Sequence, residues 1–367
     1  MRRLIGLFRL VGFGISMSVL LAAQTAPAPA SAAASDDGLA LKSFAALHPI
    51  DAHVHVFKTD PAFQALIERL NLKLLNILVM DDTLPYRKEL KAQVDDARAL
   101  VRSSHGHIAL CTTFDPYKFN SPLFTADAIR QIDQDFADGA VAVKIWKNIG
   151  MEIKERTGKF IQADNAKFDP IYKDIAARGK TLLAHQAEPN VAWGPPDSSD
   201  PSWSYYQENP QWYVGNTASF PSKRTILDAR DRVLANNPGL RIVGVHLGSM
   251  EGDLDNIARH LDKYPNFAID TAARMEYLMM MPPEKVRAFL IKYQDRIIYG
   301  TDLDSLATAD DSEVLTDWQS TYVRDWRFLA TNDTIAVAGR QVRGLNLPKP
   351  VLLKLLHSNA LQWIPGL

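Results

Sequence analysis

From Ile50 to Trp363 the chain alternates two kinds of segment. Short runs of nearly continuous apolar residues occur at Ile50–Phe57, Leu74–Met80, His107–Phe114, Ala140–Trp146, Thr181–Gln186, Arg241–Leu247, Phe267–Ala272 and Arg296–Thr301. Between them lie longer stretches whose apolar positions recur every three or four residues, as Phe63, Leu66, Ile67 and Leu70 do in Pro61–Asn71. The first kind predicts strands buried on both faces, and the second predicts amphipathic helices. The helices are expected over about Leu84–Arg102, Thr125–Asp138, Asp169–Arg178 (stopped by Gly179), Leu254–Tyr264 (stopped by Pro265) and Pro283–Tyr293. Leu315–Ala330 and Pro350–Trp363 supply two more.

Strands without clean alternation, separated by helices, are the pattern of a parallel sheet with crossover connections. The repetition of this unit along one chain points to an α/β fold, a closed (β/α)8 TIM barrel over residues 45–367. An open doubly wound sheet would carry a glycine-rich turn after its first strand, and here that strand ends in His53-Val-His55-Val instead. Two insertions interrupt the pattern: polar Lys147–Lys167 after the fourth strand, and Glu188–Pro221 after the fifth.

Residues 1–32 do not belong to this pattern. Arg2 and Arg3 precede the apolar run Val11–Ala23, and an Ala/Pro/Ser-rich stretch follows. An apolar run this short, with basic residues before it, predicts a cleavable signal peptide rather than a membrane span. The chain is therefore expected to be exported, periplasmic or secreted, with no membrane association beyond the signal. The 367 residues are 47% hydrophobic and 23% charged, with a net charge of −1. That balance offers no reason to expect nucleic acid as a partner. Cys111 is the one cysteine, set in an apolar strand, so no intrachain disulfide forms and a buried inert thiol is expected.

The ends of the strands carry the candidate chemistry. In a barrel of this kind reactive groups gather at the C-terminal ends. There the chain places His53 and His55 on one face of strand one, Lys144 in strand four, His185 in strand five, His246 in strand six and Asp302 after strand eight. Ionisable groups in strands this apolar are costly unless paired or bound to metal. Their recurrence at equivalent positions predicts a metal site.

These residues resemble the amidohydrolase superfamily, which is marked by His-x-His on strand one, histidines on strands five and six, and aspartate on strand eight. Tyr299-Gly-Thr-Asp302 and the closing Asn359-Ala-Leu-Gln-Trp-Ile-Pro are similar to the amidohydrolase-related branch that includes aminocarboxymuconate-semialdehyde decarboxylase-like enzymes. The resemblance implies a divalent metal, zinc by expectation, held by His53, His55, His185 and Asp302. Asp302 doubles as the proton-transfer group, and His246 contacts substrate or water. Carboxylated Lys144 with His185 and His246 would instead hold two ions. One ion is the arrangement the branch favours. The implied function is hydrolysis of a small organic amide, ester or lactone through a metal-activated water. Non-oxidative decarboxylation of an aromatic or unsaturated acid is the alternative.

The substrate pocket is expected from the insertions and strand ends. Trp146 follows Lys144, and Trp193, Trp203, Tyr205, Tyr206, Trp212 and Tyr213 fill the second insertion. These aromatics either wall the pocket or pack the loop onto the barrel. Glu188 is placed to orient a metal ligand, and Arg274 to meet a substrate carboxylate. His48, His105, His107, His260 and His357 lie away from the strand ends and are expected to be surface or packing residues. Subunit association is left open.

Overall fold

The computed structural model describes residues 30–81, 89–215, 219–305 and 310–367, with side chains from residue 36 onward. The expected signal peptide lies almost wholly outside these residues, as does the start expected for the helix at Leu84. No described helix is long and apolar enough to cross a membrane.

The parallel strands are β1 (Ile50–Val56), β2 (Lys73–Ile77), β3 (Ile108–Thr113), β4 (Ala142–Ile145), β5 (Thr181–Ala184), β6 (Arg241–Gly244), β7 (Phe267–Asp270), β8 (Ile297–Ile298) and β9 (Leu303–Ser305). Each of β1 to β7 pairs with its successor in sequence. The ring closes because β9 pairs with β1, Val54 opposite Leu303 and His55 opposite Asp304. Ala52 N–H also donates to Tyr299 O at 3.0 Å. β8 and β9 are thus two pieces of one barrel strand, broken at Tyr299–Asp302. The architecture is the closed α/β barrel expected from the sequence.

Two apolar layers hold it. The strands' inward residues, among them Ile50, Leu75, Cys111, Leu183, Val243 and Ile298, form an interior that Trp363, Ile364 and Leu367 plug from the N-terminal end of the strands. Cys111 is fully buried, and burial pushes its thiol up to about 12, so it stays protonated and inert. The outward residues join the helices in a larger core. Local capping sets where helices begin. Asp60 accepts from Ala62 N–H and Phe63 N–H ahead of Pro61–Arg69. Asp310 does the same for Asp311–Ala330, which is why that helix begins earlier than its apolar spacing indicated.

Two elements go beyond the sequence pattern. The helix Ala30–Ala45 packs on Asp311–Ala330, with Phe44 fully buried and stacked on Tyr322 at 5.1 Å. The folded unit therefore begins upstream of residue 45. The strands β10 (Thr334–Val337) and β11 (Arg340–Arg343) form a hairpin around Ala338-Gly339, both at positive φ. That turn chemistry matches the strand twist.

Candidate metal centre

The C-terminal ends of the strands bring His53, His55, Lys144, His185, His246 and Asp302 to one cavity of about 490 Å³. The backbone there is unusual. After strands five to eight the chain turns through non-glycine residues at positive φ: Ala187 (67°), His246 (59°), Ala273 (51°) and Asp302 (69°). Leu247, Gly248 and Ser249 continue the turn after β6 in the same left-handed region. Each such residue costs on the order of 1–2 kcal/mol, so the surrounding contacts must fix it. His246 N–H donates to Asp270 Oδ1 at 2.7 Å, and Asp302 N–H donates to His53 O at 2.8 Å. The expected continuation of strand six through Leu247 gives way to this turn, which swings the His246 ring against His53, 4.9 Å between centroids.

Hydrogen bonding fixes which nitrogen of each ring carries the proton. His55 Nδ1 lies 2.8 Å from Ile77 O and His246 Nδ1 lies 2.9 Å from Ala272 O. A carbonyl can only accept, so both Nδ1 atoms carry hydrogen, which turns both Nε2 atoms toward the centre as the potential ligand atoms. His53 Nδ1 likewise donates to Asp270 Oδ2 at 2.8 Å. Burial pushes the His53, His185 and His246 imidazoles well below their ordinary value, so they are neutral at neutral pH. Burial would raise the Asp302 carboxyl, yet its setting among His53, His55 and His246 holds it well below the ordinary carboxylate range.

These electron-rich atoms face one another. His53 Nε2 is 3.1 Å from Asp302 Oδ1, and His55 Nε2 is 3.3 Å from the same oxygen. Donor atoms of His53, His246 and Asp302 lie within 4.8 Å of one another. His185 Nε2 is buried without a hydrogen-bond partner, and its ring is 4.3 Å from that of His246. Imidazole nitrogens and a carboxylate oxygen converging this closely form a donor set that a cation would satisfy. The residues present therefore fit a divalent ion with N/O ligands. The tightest group includes His246, which the resemblance counted as a ligand only in the two-ion arrangement. Lys144 Nζ supplies part of the balancing charge, 3.2 Å from His53 Nε2, and burial lowers its affinity for a proton.

Close approach in the centre depends on Gly300. A Cβ there would stand 2.8 Å from His53 Cβ. Gly300→Ala is expected to displace His53, cut metal content and cost about 1–3 kcal/mol of stability, read by elemental analysis and urea unfolding.

The walls divide the expected pocket residues. Trp146, Glu188 and Arg274 line the cavity, as do Lys147, Tyr205 and Tyr206. Trp193 is absent from this lining. Its indole N–H donates to Pro221 O at 3.2 Å, and it packs with Trp203, Tyr213 and Phe220 against the buried residues of the second insertion. Most of the insertion's aromatics thus fasten it to the barrel. Glu188 is bonded to buried Lys147 and to Tyr206 hydroxyl, and lies 4.0 Å from His185 Nε2. Arg274 pairs with neither Asp270 nor Glu276; Glu276 is taken by Arg324 at 2.9 Å. Its Nη1 donates to Ala273 O, while its Nε is buried without a partner.

Two contributors carried no usable sequence signal. Asp270 ends β7 and holds both His53 Nδ1 and His246 N–H. Asp51 accepts from His53 N–H, Thr301 N–H, Thr301 hydroxyl and Tyr322 hydroxyl, tying strand one to strand eight directly beneath the ligands. The other five histidines lie away from the centre, His107 bonded to Leu72 O and His260 to Asp231.

Comparison with known proteins bears on the fold and the family. Among solved structures, 2,6-dihydroxybenzoate decarboxylase from Rhizobium is similar at 13% identity, covering 86% of this chain and 98% of that one, with a TM-score of 0.50. The likeness is one of fold. 4-Oxalomesaconate hydratase from Rhodopseudomonas palustris matches at 11% identity over 87% of this chain and 96% of its own, with a TM-score of 0.48. Dihydroorotase from Campylobacter jejuni matches at 11% identity over 86% and 82%, with a TM-score of 0.43. A search of curated protein sequences returns no match. The family model described as Amidohydrolase matches residues 50–365, nearly the whole barrel, and the chain belongs to the amidohydrolase family of metal-dependent enzymes.

Proposed function

We propose that this enzyme hydrolyses a small organic amide, ester or lactone, and that the chain acts after export. The observation that carries the proposal is the convergence of two imidazole nitrogens, His53 Nε2 and His55 Nε2, at 3.1 and 3.3 Å from Asp302 Oδ1. His53, His55, His185 and Asp302 would hold one divalent ion, zinc by its preference for this N/O donor set. Such an ion supplies Lewis acidity and lowers the pKa of water at the site. Asp302, on the strand-eight turn, takes a proton from the attacking water and returns it to the leaving group. His246, with Nδ1–H committed to Ala272 O, offers only an acceptor at Nε2 and so orients water rather than a substrate carbonyl. Asp270 holds His53 and His246 in these tautomers and positions. Trp146 and Tyr206 present apolar ring surface to the substrate.

A specific observation favours a second reaction, decarboxylation of an aromatic or unsaturated acid. Arg274, 6% exposed and lining the cavity, has a buried Nε with no partner. A guanidinium so placed is suited to a substrate carboxylate. The test is turnover of two probes, 4-nitrophenyl acetate for ester hydrolysis and 2-hydroxybenzoate for carbon dioxide release. Each is assayed before and after chelation and after return of zinc or manganese. Ester turnover that is lost on chelation and restored by metal is the expected result. Carbon dioxide release alone selects the second reaction, and inertness toward both probes overturns the proposal.

A further inference from the structure

Lys147 follows strand four and is buried, 2% exposed, in a cage of aromatic rings. Its Nζ lies 4.5 Å from the ring centre of Trp212, 4.7 Å from Tyr205 and 5.2 Å from Trp146. It is paired with Glu188, whose other oxygen accepts from Tyr206 hydroxyl at 2.8 Å. It also lies 2.6 Å from Tyr205 hydroxyl. An ammonium group has donors only, so in this contact the Tyr205 oxygen accepts. The Tyr205 hydrogen must then point elsewhere, and among the described residues no acceptor takes it. Tyr205 lines the cavity and is 37% exposed, whereas Lys147 is too enclosed to meet a substrate itself. Burial holds the Tyr205 phenol up, so it stays a protonated donor, and the charges of Glu188 and Asp302 both act on it.

We propose that Tyr205 hydroxyl, polarised by the caged Lys147, donates a hydrogen bond to the substrate oxygen on which negative charge develops during reaction. The inference rests on the function proposed above and assigns the helix Trp203–Glu208 a part in the chemistry rather than in covering alone. Lys147 acts through Tyr205 as a positioning residue, and Glu188 keeps it in place. A donor aimed at developing charge acts on the transition state more than on bound substrate. Lys147 beside the phenol oxygen strengthens the O–H as a donor, and the surrounding rings keep water from weakening the pair.

The test compares wild type, Tyr205→Phe, Tyr213→Phe and Asp302→Asn, using whichever of 4-nitrophenyl acetate and 2-hydroxybenzoate the metal-loaded wild type turns over. Tyr213 hydroxyl donates to Gly194 O at 2.7 Å within the same insertion and does not line the cavity, so its variant reports loss of a merely structural tie. Tyr205→Phe is expected to lower kcat about 10- to 100-fold with KM changed by less than about threefold. Its metal content and unfolding midpoint should match those of wild type, and Tyr213→Phe should keep wild-type kcat. Wild-type kcat in Tyr205→Phe, or a loss explained by reduced metal content or stability, or an equal loss in Tyr213→Phe, overturns the inference. If Asp302→Asn keeps turnover, or wild type acts on neither probe, the proposed function itself fails and the inference falls with it.

Discussion

Asp302→Asn is expected to lower turnover by about 10²- to 10⁴-fold, the usual range for loss of a general acid–base group. Circular dichroism and the unfolding midpoint should stay close to those of wild type. Asparagine is nearly isosteric with aspartate, and it is among the few side chains that tolerate the left-handed conformation Asp302 adopts, φ 69°. The backbone anchor from Asp302 N–H to His53 O is untouched by the change. What is lost is the charge opposite His53 Nε2 and His55 Nε2, and with it the ability to accept a proton. Steady-state kinetics on the metal-loaded variant, with metal content measured on the same sample, is the check. Undiminished kcat at full metal content would remove Asp302 from the proton path.

The barrel was legible because its signals are local and redundant. Strands such as Leu182-Leu183-Ala184 are buried on both faces, and helices such as Leu254–Lys263 carry a periodic stripe closed by Pro265. His53, His55, His185, His246 and Asp302 stood out because each sets an ionisable group within or just after an apolar run. Asp270 was not legible as a positioning group: an aspartate at a strand end looks the same whether it meets solvent, Arg274 or a histidine from strand one, 217 positions away. Lys147 was hidden for a related reason. It opens a polar insertion, and nothing near it in sequence announces that Tyr205, 58 positions on, will close over it. Trp193 misled in the other direction, since an aromatic-rich loop satisfies both a pocket wall and a packing cluster. The outcome turned on the partner of a single indole N–H, Pro221 O. The hairpin Thr334–Arg343 did carry a readable sign, with Ile335 and Val337 buried between exposed neighbours around Ala-Gly.

Asp270→Asn tests the part of the centre that only the folded chain displays. One carboxylate serves two strands here, accepting His53 Nδ1–H at Oδ2, and His246 N–H at 2.7 Å and Ala272 N–H at 3.2 Å at Oδ1. An amide has one acceptor oxygen and one NH2, so it cannot satisfy both sides. If the oxygen faces the two backbone N–H groups, the NH2 meets His53 Nδ1. The ring must then carry its hydrogen on Nε2, where it can no longer ligate a metal. If the oxygen faces His53 instead, two buried backbone donors lose their acceptor and the left-handed turn at His246 loses its anchor. Either orientation disturbs the centre, directly at the ligand His53 or through the His246 ring packed 4.9 Å from His53 and 4.3 Å from His185. Metal affinity is therefore expected to fall about 10- to 100-fold, the usual cost of losing a group that orients a ligand. Stability should fall by about 1–3 kcal/mol for the unpaired buried groups. Competition with a chelator of known affinity measures the first, and urea unfolding of the metal-free chain measures the second. Wild-type metal affinity in Asp270→Asn would show that His53 and His246 hold their places without this carboxylate, and would end the assignment of Asp270 as their common support.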